Sequence, residues 1–259
     1  MDLARFCEGA EAVDEEALRR EAVRLRGVER VVVAGGDGSV GPAAALARRS
    51  GVPLAVVPAG TANDFARFLG LPLDVEEAAR LAADPAAPTR RMELAVAVGR
   101  RPFVNAATAG LSVLAARSAG PLKPRLGKLA YALGALRAAV TGRPLDITIR
   151  CDGQTSFRGR AWQVVVAATG AFGGGSGTGG VDPRDGRLDV AIVEAKPRFA
   201  LARLAWAMRK GRLVDVDAVL HLRAATVEVE GARTFNVDGE VLAITPHFEV
   251  VGSLEVVAP

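Results

Sequence analysis

The sequence predicts an α/β domain followed by a mainly-β domain of antiparallel, sandwich-like character. Three observations carry this expectation. Helical and strand-like periodicities alternate with short joints as far as about Arg91; the rhythm then changes to strands parted by turn residues; and no apolar stretch reaches the ~18 to 20 residues of a membrane span. The boundaries follow: residues 1–91 form the first domain, with Pro85 to Thr89 in the joint, and residues 92–246 the second. The segment at about 247–259 returns to the first domain.

Glu15 to Leu25 places Ala17, Leu18, Ala22 and Leu25 at helical spacing, and the valine-rich run Val28 to Ala34 reads as a buried strand. A helix at Ala43 to Arg49, a strand at Pro53 to Val57 and a helix from Ala62 to Phe68 continue the alternation, which indicates a largely parallel sheet. Beyond the joint, Ile147 to Arg150 and Trp162 to Ala168 flank Cys151-Asp152-Gly153, while Thr226 to Glu230 and Thr234 to Val237 flank Gly231. Both pairs read as antiparallel strands around turns. Two helices are expected among these strands, near Gly127 to Val140 and near Phe199 to Lys210.

Composition narrows the function classes. Half of the 259 residues are apolar and a quarter charged, which suits a globular chain. The net charge of +4 reads as spread along the chain, and with 5% aromatic residues there is little to stack bases, so nucleic acid is not an expected partner. Cys7 and Cys151 belong to no metal or disulfide spacing, and His221 and His247 have no partner at ligand spacing, so both histidines are expected in ordinary strand or surface roles. The N-terminus lacks a basic start followed by an apolar run. A cytoplasmic protein is expected, with any membrane contact peripheral.

The chemistry concentrates in three places. Val31-Val32-Val33-Ala34 runs into Gly35-Gly36-Asp37-Gly38-Ser39, a strand-to-helix loop in which Ser39 can cap a helix containing Pro42. Glycines let backbone N–H groups approach phosphate oxygens, and a helix N-terminus favours anions. Asp37 fits such a loop if a magnesium ion stands between its carboxylate and the phosphates; read alone, it is a helix cap. Pro58-Ala59-Gly60-Thr61-Ala62-Asn63-Asp64-Phe65-Ala66-Arg67 lies at a second strand end that can border the same crevice. Asp238-Gly239-Glu240 offers acids for proton transfer, and by itself reads as a hairpin turn.

In these motifs, and in their order, the sequence resembles the diacylglycerol kinase catalytic domain superfamily of the bacterial lipid kinase type, which also includes sphingosine kinases. Phe103-Val104-Asn105, Phe172-Gly173-Gly174-Gly175 and Asp185-Gly186-Arg187-Leu188-Asp189 extend the resemblance over most of the chain from Val31. It implies a small NAD-kinase-like α/β nucleotide domain and a β-sandwich-like lipid-substrate domain. The implied activity is that of a transferase passing the γ-phosphoryl group of ATP to a lipid hydroxyl, such as that of diacylglycerol.

Gly35, Gly36, Gly38, Ser39, Gly60, Thr61 and Asn63 would hold the nucleotide, with Asp37 and Asp64 organising magnesium. Glu240 would be the general base with Asp238 beside it, the choice among Asp37, Asp238 and Glu240 staying open. A structural magnesium would use the Asp185 carboxylate and carbonyls at Asp182 and Arg187. Asn105 either lines the cleft or is a buried structural amide.

The resemblance also implies a strand and an N-P-x-[SA]-G loop before Val31 that this sequence does not display. A bare edge on the first strand and weak ATP binding are therefore expected. The alternatives are a catalytically weak or inactive nucleotide- or lipid-binding relative, or an NAD kinase. NAD kinases share the glycine loop but lack the second motif, and the acidic motif of phosphofructokinases is absent. A helical projection of Phe199 to Leu213 sets Leu201, Leu204, Ala205 and Met208 opposite Phe199, Trp206 and Leu213, the latter interleaved with Arg203 and Lys210. That face suits contact with anionic lipid at the inner face of the membrane. A homodimer is compatible with the sequence.

Overall fold

The computed structural model describes residues 27–97, 101–120, 129–172 and 175–259, with isolated positions before them. The first unit opens with β1 (Val31–Gly35), α1 (Asp37–Ser50) and β2 (Leu54–Pro58), the two strands pairing in parallel. Helices α2 (Asp64–Leu69) and α3 (Val75–Ala83) follow. Asp74 caps α3 by accepting from the N–H groups of Glu76 and Glu77. The helix expected over Glu15 to Leu25 lies mostly outside the described residues, as does any neighbour that segment could give β1. Among the described residues β1 pairs with β2 alone.

Next come β3 (Thr89–Ala97), β4 (Arg101–Phe103), β5 (Ala106–Gly110), α4 (Leu111–Ala119) and α5 (Leu129–Thr141). The hairpin of β6 (Leu145–Cys151) and β7 (Gln154–Ala167) turns at Asp152 and Gly153, both at positive φ, as expected of an Asp-Gly turn. After the short β8 (Ala171–Phe172) and β9 (Ser176–Gly177) come β10 (Leu188–Glu194), α6 (Ala200–Arg209) and β11 (Val219–Ala224). The chain finishes with β12 (Thr226–Glu230), β13 (Thr234–Val237), β14 (Glu240–Ala243) and β15 (His247–Val257).

The expected hairpin about Gly231 does not form. Its two runs are strands, but β12 pairs with β6 and β15, whereas β13 pairs with β5 and β14. Gly231 is the crossing point: a Cβ there would stand 2.1 Å from the Asp146 carbonyl oxygen, so the chain passes too close to β6 to fold back as a ribbon.

Among the described residues thirteen strands form one hydrogen-bonded network, and β15 joins its two parts. It runs antiparallel to β12 near its start and to β3 along its length, and Val256 reaches β2 in parallel register with Leu54. Two cores meet along it. Val33, Leu54 and Val56 pack with Ala44, Leu46 and Ala47 of α1 and with Leu94 and Val256. Ile149, Val164, Ile192, Phe103 and Phe235 surround Phe248, whose ring meets both phenylalanines edge-on.

Helix α1 sits against β4 so closely that a Cβ at Gly41 would lie 2.4 Å from the Pro102 carbonyl oxygen. In an open helix Gly→Ala gains about 1 kcal/mol. Here backbone overlap outweighs that gain, so Gly41→Ala is expected to destabilise the protein by about 1 to 3 kcal/mol. Denaturant unfolding measures this directly, and a stabilised variant would mean that α1 can slide off β4.

Candidate active site

Pro42 shapes the start of the site. It has no N–H to give the Gly38 carbonyl four residues earlier, and the Nη2 of Arg101 approaches that oxygen instead, at 3.4 Å. The same Nη2 donates to Glu240 Oε2 at 2.8 Å. Glu240 thereby lies against the glycine loop: a Cβ at Gly38 would be 2.6 Å from its Oε1. The helix begins at Asp37 with Gly36 as its N-cap, so Ser39 is not the cap but lies within the first turn.

The two strand-end loops touch. Gly36 and Gly60 meet backbone to backbone, a Cβ on Gly60 falling 2.5 Å from the Gly36 Cα. Asn63, in the left-handed region at φ 53, closes its own loop by accepting from the Gly60 N–H and donating to the Gly60 carbonyl. Thr61 is exposed beside it. Asp64 is buried, and its Oδ1 accepts from the Gly175 N–H at 2.7 Å, which draws the 175–177 segment to this end of the sheet.

Asp37 does not cap its own helix. Its Oδ1 accepts from the Phe65 N–H at 3.0 Å and from Asn105 Nδ2 at 3.1 Å. Asn105 is buried and committed on every side. Its Oδ1 accepts from Thr169 Oγ1, its carbonyl from the N–H groups of Ala168 and Thr169, and its own N–H donates to Asp238. Asp238 is 6% exposed and accepts from three successive N–H groups, those of Val104, Asn105 and Ala106, at 2.9 to 3.1 Å. With Gly239 it makes the two-residue turn between Val237 and Glu240, both at positive φ. Turn and acid are thus one feature.

Burial pushes the Asp238 carboxyl up to about 7; the Val104 N–H pulls the other way, and the charge of Asp37 raises it further. The pocket therefore disfavours a further negative charge in the absence of a cation, and its donors are oxygens, the hard set that magnesium takes. Among the described residues no three acidic, His or Cys side chains meet in metal-holding geometry. A magnesium here would be held by one or two carboxylates and complete its shell with phosphate oxygens and water, the usual manner of nucleotide-bound magnesium.

A second acidic group surrounds Asp185. Its Oδ1 accepts from the Arg187 N–H, and its other oxygen pairs with Arg223. Asp182 pairs with Arg184. Sequence reasoning missed Glu93, whose Oε1 accepts from the Gly186 N–H and whose Oε2 is buried with no hydrogen-bond partner. Burial raises its carboxyl, the Gly186 N–H opposes this, and Asp182 adds to it. The orphaned oxygen fits a cation beside the 182–187 turn. Glu93 was legible as a lone acid within the apolar run Met92 to Ala97. Nearby, His221 Nε2 lies 2.6 Å from Asp189 Oδ1, a cross-strand pair between β10 and β11. Arg101 was missed because an arginine opening a short strand, next to Arg100, carries no pattern.

Asp238 sets a pH dependence. In metal-free protein its native carboxyl keeps a proton up to about 7, while the unfolded chain releases it near 3.8. Its contribution to stability is therefore complete below 3.8 and lost as pH rises through about 7, by on the order of 4 kcal/mol at most. Urea unfolding of wild type and Asp238→Asn across this range should show a less stable variant that lacks the decline. Parallel curves would remove the assignment.

Two family models match the chain: the diacylglycerol kinase catalytic domain over residues 4–95, and the YegS C-terminal NAD kinase beta sandwich-like domain over residues 105–258. A protein of Mycobacterium tuberculosis named diacylglycerol kinase is 31% identical, over 86% of this chain and 73% of its own length. A Pseudomonas aeruginosa protein named "Probable lipid kinase YegS-like" is 34% identical over 90% and 75% respectively. The crystal structure of a diacylglycerol kinase from Bacillus anthracis superposes with a TM-score of 0.72 at 24% identity, covering all of this chain and 82% of that one, and so shares its fold.

Proposed function

The chain belongs to the diacylglycerol kinase family of lipid kinases, and from that premise we propose that it transfers the γ-phosphoryl group of ATP, with magnesium, to the hydroxyl of a lipid such as diacylglycerol. The carrying observation is the convergence of the two strand-end loops, Gly36 on Gly60, with Asp37 at the helix N-terminus and Glu240 against Gly38. Backbone N–H groups of the loop from Gly35 to Ser39, with Gly60 and Thr61, would receive the phosphates. Asn63 keeps its loop folded for them.

Asp37 and Asp64 are the residues that would hold the cation. Magnesium, when bound, supplies charge neutralisation on the phosphates. Asp185, with carbonyls at Asp182 and Arg187 and now Glu93, would hold the second, structural ion.

Between the candidate bases, the geometry favours Glu240. Asp238 spends its oxygens on three backbone N–H groups, so its role is to fix Asn105 and through it Asp37. Glu240 is half-exposed at the loop, where it can take the proton of the acceptor hydroxyl as oxygen attacks phosphorus and the bond to the departing ADP oxygen breaks. For the acceptor, a cleft of about 430 Å³ lined by Val113, Leu114, Leu145 and Ala232 runs beside Thr234 of β13, on the hairpin whose turn carries Asp238. Its apolar walls suit an acyl chain. Among the described residues no helix is long and apolar enough to cross a membrane, so the lipid would be met at a surface.

Incubation with labelled ATP and a mixed lipid extract tests the reading. Label appearing in a lipid product supports it, and ATP binding without transfer to any lipid would make the chain a binding protein instead. Glu240→Gln is expected to lower turnover by about 10² to 10⁴ with an unchanged melting temperature. Near-normal turnover at saturating ATP would remove Glu240 from the role of base. Asp37→Asn is expected to flatten the magnesium dependence of ATP binding, read by thermal shift over a magnesium titration. Equal stabilisation of both proteins would leave Asp37 as a loop residue only.

A further inference from the structure

The cations of this chain are not spread evenly but are concentrated in two stretches of the sequence. Residues 111–145, which contain α4 and α5, hold six cations and no acid, and residues 195–214, which contain α6, again hold six and none. All four lysines, Lys123, Lys128, Lys196 and Lys210, lie in these stretches. Twelve of the 33 cations thus occupy 55 residues, which leaves 21 cations against all 29 acids in the rest of the chain.

The same helices expose apolar side chains. On α6, Leu201, Leu204 and Ala207 are buried, while Trp206 is 62% exposed and Phe199, just before the helix, 83%. The projection from sequence needs two corrections: Ala205 is exposed, because Ala207 takes the inward position, and Leu213 is fully buried in a short 3-10 turn beyond the helix. On α5, Leu136 and Val140 are 63% and 66% exposed, one helical turn apart, with Leu133 on the same face.

The two helices are clipped together by Arg198. Its guanidinium stacks over Trp162, 5.0 Å from the ring centroid, and donates to the carbonyls of Ala139 and Gly142 at the end of α5, both at 2.6 Å. Ala139 also packs on the cluster that buries Leu201 and Leu204. The end of α5 and the start of α6 are therefore neighbours, although 59 residues separate Ala139 from Arg198.

We propose that α5 and α6 form a two-helix surface that docks this protein on an anionic bilayer, with Phe199, Trp206, Leu136 and Val140 entering the interface and Arg203 and Lys210 meeting acidic headgroups. The proposal rests on the lipid-kinase reading and names the partner that reading requires. Lys196 and Arg212 are paired with the flanking Glu194 and Asp215, but the stretches themselves carry aromatic and aliphatic side chains amid cations in excess, which matches the chemistry of an acidic lipid surface. A second copy of the chain is a poorer occupant, since two such faces would bring like charges together.

The test is flotation of the purified protein with phosphatidylcholine vesicles, with and without about 30% phosphatidylglycerol, at low salt and at about 0.5 M NaCl. The wild type is expected to float with the acidic vesicles alone and to be released by salt. Arg203→Glu with Lys210→Glu, which touches no buried side chain, is expected to lower the partition at least roughly thirtyfold. Phe199→Ser with Trp206→Ser is expected to lower it about tenfold or more, with an unchanged melting temperature.

Equal flotation with neutral vesicles, or undiminished binding by the charge-reversed variant, overturns the proposal. So does a wild-type dimer that the aromatic variant disperses, which would give the face to a second copy. Phosphoryl transfer to detergent-dispersed diacylglycerol is measured alongside: acidic-vesicle binding without any transfer would sink the lipid-kinase reading and leave the surface standing, while transfer in detergent without vesicle binding would do the reverse.

Discussion

One buried carboxylate holds the architecture of the site. Asp238 gathers the N–H groups of Val104 and Asn105, which lie between β4 and β5, and of Ala106, which opens β5, and so pins the β13–β14 hairpin onto the chain entering the sandwich. Asn105, oriented by that grip, donates to Asp37, and Asp37 accepts from the first turn of α2. Four segments distant in sequence are thus set by a single acceptor group. Each link is a hydrogen bond to a buried or half-buried carboxyl group, and leaving such a group without its partners is costly.

This arrangement explains why a carboxylate is tolerated in a place that penalises its charge. Burial and the proximity of Asp37 push Asp238 toward its neutral form, while three amide dipoles pull it back. A cation placed among the acids would tip the balance toward ionisation. The loops at Gly36 and Gly60 leave backbone, rather than side chains, facing the space where phosphates would lie.

Much of this was legible in the sequence. The valine-rich strands, the glycine loop, the Asp-Gly turn at Asp152 and the change from alternating elements to strands all report local preferences, and local preferences survive folding. What escaped were long-range relations. Nothing near Thr226 or Thr234 says that their strands part company at Gly231, because the partner that forces the separation, Asp146, lies 85 residues away. Arg101 reaches Glu240 across 139 residues, and Glu93 meets Gly186 across 93. The charge segregation was visible in principle, yet a net charge alone conceals it, and only the reach of Arg198 to Ala139 and Gly142 brings the end of α5 to the start of α6.

The final strand has a consequence for how the protein is made. β15 supplies Leu254 and Val256 to the core that begins with Val31 and Leu54, and it pairs along most of β3. During synthesis the ribosome releases β1, α1, β2 and β3 long before β15 exists, and the first core then lacks one of its walls. Closure of this core must await β15, so the unit cannot mature independently while the intervening strands are translated. From the synthesis of β3 until that of β15 the nascent chain carries this edge of β3 uncovered, an interval in which chaperones or early sandwich strands would shield it from other nascent chains.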